Sequence, residues 1–388
     1  MMLPNDPLSQ LLGLYTAQFG EPAYVVKAPG RINFLGEHTD YNLGYVMPAA
    51  IDKAIYIAIG GRADNRIELI SADFTDTYSG RIDELTHSVK SWPNYLLGVI
   101  QQLQQKQLFP SGFNAVILSD LPVGAGLSSS AALECAGLLA LDQLFNFQLR
   151  TLTMVTMAQA AENNFIGLQC GIMDPFASMF GKDNELIMLN CSNLDYTYLP
   201  FHFPDIEMVL LDTGVKHSLA GTEYNLRREE CQAGLEKIQQ KFPQIQFLSG
   251  ATIEQVNLSI PADTITNRRC TYIVQENSRL LAAAENLKNQ DIISFGQKMY
   301  ATHIGLRDLY AVSCPEADFL VKEAQVSNQV IGARMMGGGF GGCTLNLISS
   351  AEVAPFIATI TQQYQHHFNR NLVSYRVKLS AGASVIIP

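Results

Sequence analysis

The sequence predicts an α+β protein organised as two domains or one large two-lobed unit. Three observations carry this. The chain has 388 residues, more than one hydrophobic core usually serves. Strand-like and helix-like runs both occur, without the regular βαβ alternation of a doubly wound sheet. A polar, proline-containing stretch, NLDYTYLPFHFPD at 193–205, marks a boundary. The division expected is 1–204 and 205–388.

The elements follow in order. YIAIGG (56–61), RIELISADF (66–74) and FNAVILSDLP (113–122) have the β-branched, alternating look of strands. NYLLGVIQQLQQKQL (94–108) sets Tyr95, Val99, Leu103 and Leu108 on roughly one side, as a helix does. LSSSAALECAGLLALDQLF (127–145) does the same with Leu127, Ala131, Cys135, Leu138 and Leu139. Beyond the boundary come a strand over 207–213 and a long charged helix over about 223–242. LVSYRVKLSAGASVII (372–387) closes the chain with strand character. There is no internal repeat and no low-complexity segment.

Composition excludes several classes. The apolar fraction is 47%, ordinary for a soluble globular protein. No run approaches the roughly 20 apolar residues of a membrane span. The most apolar stretch, Ala131 to Leu141, carries Glu134 and reads as a buried helix. MMLPNDPLSQ lacks a basic and then apolar leader, so no signal peptide is expected. The seven cysteines are scattered, odd in number and without CxxC spacing. They predict reduced thiols, a cytoplasmic location and no zinc site. The net charge is −10, and Arg227–Arg228 and Arg268–Arg269 are too short to make a basic patch. Nucleic acid is therefore a poor partner. A phosphate ligand is not excluded, because backbone amides can hold it.

Four segments carry chemistry. GRINFLGEHTDYNLG (30–44) gathers Arg31, Glu37, His38 and Asp40 in a chain with only 16% charged residues. A solvated loop is the bland account of such a cluster. LPVGAGLSSSAALE (121–134) reads as a strand end, a tight loop with Gly124 and Gly126, three serines and a helix start. Exposed N–H groups and the positive helix end make an anion site there. Glu134, one turn in, makes sense beside a phosphate only with a cation such as Mg²⁺ between them. A serine N-cap after a glycine turn would leave the same residues. No lysine follows the glycines, so this is not a Walker A loop. MMGGGFGGC (335–343) satisfies GxGxxG, but TLNLI follows where the dinucleotide fingerprint demands a helix. Repeated glycine there means positive φ or a close neighbour. QCGIMDPFASMFG (169–181) places Asp174 before Pro175, which suits a helix cap or an ionised carboxylate that orients a hydroxyl.

With these segments the chain resembles the galactokinases, which share a family with homoserine, mevalonate and phosphomevalonate kinases. The resemblance runs end to end. HSLAGTEYNLRREEC (217–231) adds to it, and EHTDY in the first segment is its most specific part. It implies a two-lobed GHMP-kinase fold: an N-terminal lobe like domain 2 of ribosomal protein S5, and a C-terminal lobe with an antiparallel sheet covered by helices. It implies ATP-dependent phosphorylation of the C1 hydroxyl of galactose, with ATP and Mg²⁺ as cofactors. Asp174 would act as base or orienter, and Arg31 would stabilise charge. Such a pair, about 4 Å apart, attracts by on the order of 4 kcal/mol at an effective dielectric of about 20. Glu37, His38, Asp40, Gly171 and Tyr224 would bind the sugar. Gly124, Gly126, Leu127, Ser128, Ser129 and Ser130 would cradle the phosphates. Ser130 and Glu134 would hold Mg²⁺. Trp92, in SWPNYLLGV, would cover the adenine or else sit in the core. Many galactokinases carry Gln where Pro175 stands. N-acetylgalactosamine and arabinose kinases share the scaffold, as do sensors that bind sugar and ATP. A monomer with no membrane or nucleic-acid partner is expected.

Overall fold

Long runs of β-branched and small apolar residues build the centre of the first lobe. The computed structural model describes residues 6–122, 124–215 and 220–388. Its elements up to the boundary are α1 (Pro7–Phe19), β1 (Tyr24–Asn33), β2 (Tyr45–Val46), β3 (Pro48–Gly61), β4 (Arg66–Ser71), β5 (Asp76–Arg81), α2 (Pro93–Gln105), β6 (Phe113–Ser119), α3 (Ser129–Phe145), α4 (Thr151–Ala161), α5 (Met173–Phe180), β7 (Glu185–Asn190) and β8 (Tyr196–Pro200). Then follow β9 (Ile206–Asp212), α6 (Ala220–Lys241), α7 (Ile253–Ser259), α8 (Ile265–Lys288), α9 (Ile292–Gly305), α10 (Pro315–Val326), β10 (Val330–Met335), β11 (Cys343–Ser349), α11 (Val353–Phe368), β12 (Val373–Val377) and β13 (Ser384–Ile387).

Six strands form the first sheet in the order β13-β1-β3-β6-β4-β5. All pairs are antiparallel except β4 with β6. The sheet is covered on both faces, so β1 and β3 are buried almost throughout and do not alternate. On one face Leu11 and Tyr15 of α1 meet Val25, Ala58 and Val116. On the other, α3 packs on β1 and β3, and α5 on β1. A three-stranded sheet, β2-β7-β8, backs α5 through Ile172, Met173, Phe176, Ile187 and Leu189. The second lobe is a four-stranded antiparallel sheet, β10-β11-β9-β12, with α9 and α10 against β10. Both lobes are thus of the mixed α+β kind the sequence predicts. All seven cysteines are free thiols. Among the described residues no helix is long and apolar enough to cross a membrane.

Three boundaries differ from expectation. The strand expected to reach Pro122 ends at Ser119, because Ser119 Oγ and the Asp120 carboxylate turn back to accept N–H groups of Leu121 and Ala54. The helix expected from Leu127 starts at Ser129, because Ser128 takes φ 56°. The closing strand is two strands. Val373–Val377 pairs with β9, whereas Ser384–Ile387 pairs with β1 in the first sheet. The Ser380–Ala383 turn divides them, packed so tightly on Gly181 and Met179 that position 382 has no room for a Cβ. Residues 217–219 of HSLAGTEYNLRREEC lie outside the described residues.

Gly296 on α9 faces Gly332 on β10 backbone to backbone, and a Cβ at 296 would collide with the Ile331 carbonyl. Gly296→Ala should cost roughly 1–3 kcal/mol or more. Gly13→Ala, in α1 with open space around it, should stabilise by about 1 kcal/mol. Thermal melts of the two variants check both signs.

Candidate active site

The site grows from the end of β1. Its pairing with β3 shifts register between Pro29 and Arg31, and such a bulge re-aims a side chain. Gly30 lies so close to Leu121 and the Leu127 carbonyl that any side chain would collide. Arg31 is thereby brought under the 124–128 loop, donating its backbone N–H to Leu127 O at 3.2 Å. Its guanidinium donates Nη1–H to Gly126 O at 2.6 Å. It also forks onto Asp174, with Nε to Oδ1 at 2.7 Å and Nη2 to Oδ2 at 3.0 Å. This is the bidentate geometry in which an arginine–carboxylate pair is strongest. Burial alone would lower the Arg31 pKa, but Asp174, then Glu37 and Asp40, raise it further.

Asp174 is the second residue of α5. The cap position is Ile172, and no side chain caps this end. The carboxylate therefore does not serve as a helix cap. It faces the cavity and accepts a short hydrogen bond from Ser128 Oγ. Pro175 supplies no N–H at a turn where none is needed.

The glycine loop needs its glycines. Gly124 and Gly126 have φ of 80° and 74°, the left-handed region. Ser128 occupies the cap position of α3 without a side-chain cap bond. The first N–H groups of α3 thus remain for another partner. For 337–342 both explanations hold. Gly337, Gly339, Gly341, Gly342 and Phe340 all have positive φ. Side chains at 339 and 341 would collide with the carbonyls of Val312 and Val215. Gly337 lies over Gly126, so the two glycine loops pack on each other.

The EHTDY segment forms the opposite wall. Glu37 is buried, paired with Arg334 and accepting the Gly337 N–H at 3.0 Å. It thereby ties the first segment to the last glycine loop. His38 has its Nδ1 2.8 Å from the Tyr41 hydroxyl and its ring against Tyr224 and Tyr310, with centroids 5.2 and 4.9 Å away. Burial, then Arg334 and Arg227, push its pKa down to about 3, so the imidazole is neutral. Asp40 accepts the Met173 N–H at 3.4 Å. Burial, then Asp174, push it up to about 7. Gly171 packs against its carboxylate so closely that a Cβ would overlap it.

A cavity of about 290 Å³ is lined by Arg31, Glu37, His38, Asp40, Gly126, Ser128, Ser130, Gly171, Asp174 and Tyr224. The structure thus brings most of the expected residues to one place. A second cavity of about 210 Å³ is lined by Trp92, Tyr95, Phe74, Ser129, Ser130 and Leu133 among others. Ser130 borders both. Trp92 is at once core and wall: 8% exposed, packed in the main apolar cluster, its Nε1–H on Asp76 at 3.0 Å. Leu127 is buried and contributes only its carbonyl. Gly124 lines neither cavity.

The expected Ser130–Glu134 pair separates. The two share a helix face four residues apart, but Glu134 is fully buried and lines neither cavity. The carboxylate on the cavity wall is Glu162, which was not singled out from the sequence. It sits where α4 passes into a π-helical turn, Glu162–Ile166, a distortion common at functional sites. The available signal was its isolation: Glu162 is the only acid between Asp142 and Asp174. Burial, then Asp174, push Glu162 up to about 7, while the Ser130 hydroxyl draws it down. Burial, then Glu162, push Glu134 well above the carboxylate range. Neither oxygen of Glu134 has a hydrogen-bond partner. Among the described residues no three acids, histidines or cysteines are grouped to hold a metal ion by themselves, but Ser130 and Glu162 both present oxygen to the cavity, where a divalent cation and its phosphate ligand could complete a coordination shell.

The chain is similar to known proteins over most of its length. Residues 94–182 match the GHMP kinases N-terminal domain, 283–366 the GHMP kinases C-terminal, and 13–61 the galactokinase galactose-binding signature. The Roseiflexus sp. galactokinase is 37% identical over 369 residues, covering 94% of both chains. The Bacillus subtilis galactokinase is 36% identical over 384 residues, covering 96% of this chain and 98% of its own. The crystal structure of Lactococcus lactis galactokinase complexed with galactose superimposes with a TM-score of 0.93 at 32% identity, covering 97% of this chain and 99% of its own. The Methanococcus jannaschii mevalonate kinase, at 16% identity and a TM-score of 0.68, shares the fold. The architecture and the two glycine loops are those of a GHMP kinase. Within that class, the chain belongs to the galactokinase family.

The raised Asp40 pKa has a thermodynamic sign. Folded Asp40 binds its proton up to about pH 7 against an ordinary value of 3.8. Its contribution to stability is therefore present below that ordinary value and lost as pH rises through about 7. Asp40→Asn removes the cost of the buried charge. The variant should gain more stability at pH 8 than at pH 5, the difference being on the order of 2 kcal/mol. Urea titrations at the two pH values measure it.

Proposed function

We propose that this chain transfers the γ-phosphoryl group of ATP directly to the C1 hydroxyl of α-D-galactose, giving galactose 1-phosphate. The observation that carries the reading is the Arg31–Asp174–Ser128 cluster. It lies between a glycine loop at a helix start and a wall made by Glu37, His38 and Asp40. The galactose-binding signature over 13–61 spans that wall. The chemistry needs in-line positioning and charge neutralisation more than covalent help.

In this reading the sugar occupies the 290 Å³ cavity. Its outer hydroxyls donate to Asp40 and bond to His38, with Gly171 and Tyr224 completing the pocket. The nucleotide lies along Gly124–Ser130 with its base toward Trp92. The C1 oxygen bonds to the γ-phosphorus as the bond to the β–γ bridging oxygen breaks, and the hydroxyl proton passes toward Asp174. Arg31 holds both oxygens of the Asp174 carboxylate in place and balances charge on the transferring group. Magnesium, held by Ser130 and Glu162 with Glu134 behind, would neutralise the phosphate oxygens when bound. No phosphorylated enzyme forms, and the protein works as a monomer in the cytoplasm.

Asp174→Asn should retain sugar and nucleotide binding while kcat falls by about 10³-fold or more, as loss of a positioned base and its charge predicts. Calorimetry and an ADP-release assay separate the two effects. Across galactose, N-acetylgalactosamine, glucose and arabinose, kcat/KM should be highest for galactose. A preference for another sugar would reassign the substrate and leave the reaction type standing. A chiral γ-phosphorus should emerge inverted, and retention would rule out a single displacement.

A further inference from the structure

The loop that carries Glu37, His38 and Asp40 is held by a helix of the other lobe. Helix α8 presents Tyr272, Glu276, Asn277 and Leu280 along one side, spaced as a helix face requires. Glu276 Oε1 accepts the Gly36 N–H at 2.8 Å. Tyr272 OH donates to the Glu37 carbonyl at 2.9 Å. Asn277 Oδ1 accepts the Tyr45 N–H at 2.8 Å. Leu280 packs where a side chain at Gly36 would have to go. The bonds to Gly36 and Tyr45 fall at the two ends of the loop.

The loop needs such holding. Gly36, His38 and Leu43 have φ of 85°, 63° and 57°, and non-glycine residues persist there only where their surroundings over-determine them. Glu276 is also an unusual choice for stability alone. It is fully buried, takes both its oxygens to Thr302 Oγ1 at 2.9 and 3.0 Å, and pairs with Arg279. A well-packed apolar side chain often serves stability as well as a buried ion pair. What an apolar side chain cannot do is accept the Gly36 N–H. We infer that Glu276 and Asn277 are positioning residues for sugar recognition, acting from the second lobe on the loop that bears His38 and Asp40. The inference rests on the reading of this cavity as the galactose site.

The experiment compares Glu276→Met, Glu276→Gln, Asn277→Ala and Thr302→Val in the full-length enzyme. Met fills the volume of Glu276 without an acceptor, whereas Gln restores one for Gly36. Thr302→Val loosens the same buried network without touching the loop. Glu276→Met and Asn277→Ala should each raise the galactose KM about tenfold, the usual worth of one hydrogen bond. The ATP KM and kcat should stay within about twofold in both. Glu276→Gln should recover most of the galactose KM. Thr302→Val should melt earlier but keep the parent's KM values. Amide exchange without any substrate should quicken over residues 34–46 in Glu276→Met and Asn277→Ala, and stay unchanged in Thr302→Val.

The inference is overturned if both loop variants keep the parent's galactose KM, if the ATP KM rises in parallel, if Glu276→Gln restores nothing, or if exchange over 34–46 does not change. Should Glu276→Met fail to fold, Asn277→Ala decides, since Asn277 is only half-buried. A parent enzyme that turns over no galactose refutes the substrate reading by itself, because the exchange measurement judges the loop without sugar.

Discussion

The site depends on one guanidinium. Arg31 bonds at once to the carbonyl of Gly126 and to both oxygens of Asp174. Three distant parts of the chain therefore meet on a single planar group: a strand end, a glycine loop and the first turn of α5. Arginine suits this because its five N–H donors are fixed in one plane and it stays charged when buried. A lysine would offer one point of charge and could not hold a loop and a carboxylate in a set relation. The bulge at Arg31 and the tight approach at Gly30 are the local costs of placing that group under the loop.

Around it the acids outnumber the cations. Asp40, Glu134 and Glu162 each stand in the field of Asp174, and all three are raised by burial before anything else. Glu37, by contrast, has a cation beside it, Arg334. Such an arrangement is unfavourable for the empty protein, and functional sites commonly carry this kind of unfavourable charge. The proposed sugar hydroxyls and magnesium would supply partners for these groups. The unsatisfied oxygens of Glu134 and the neutral His38 belong to the same account.

Much of this was legible in the sequence, for identifiable reasons. Arg31, Asp40 and Asp174 stand out because charge is rare in this chain, and Arg31 follows Gly30 while Asp174 precedes Pro175. The α+β class followed from segments whose periodicity is local. What was missed depends on distance. Glu134 looked like a cavity ligand because it lies one turn from the serines. It shares the helix face of Ser130 but is covered by packing, and Glu162 reaches the cavity beside Ser130 from the end of α4 through a π-helical turn that no local pattern announces. The final run read as one strand because its two halves have the same alternation, and only tertiary pairing assigns them to different sheets. The hold of α8 on the EHTDY loop is likewise invisible locally, since its partners are more than two hundred positions apart.

The assignment of β13 to the first sheet bears on the order in which the protein can assemble. β1, which carries Arg31, has β3 on one side and β13 on the other. During synthesis β3 emerges soon after β1, but β13 emerges only after every strand and helix of the second lobe. Until then β1 is an unprotected sheet edge, a surface that invites pairing with other chains. The sheet that emerges first from the ribosome thus receives its last strand at the end of synthesis.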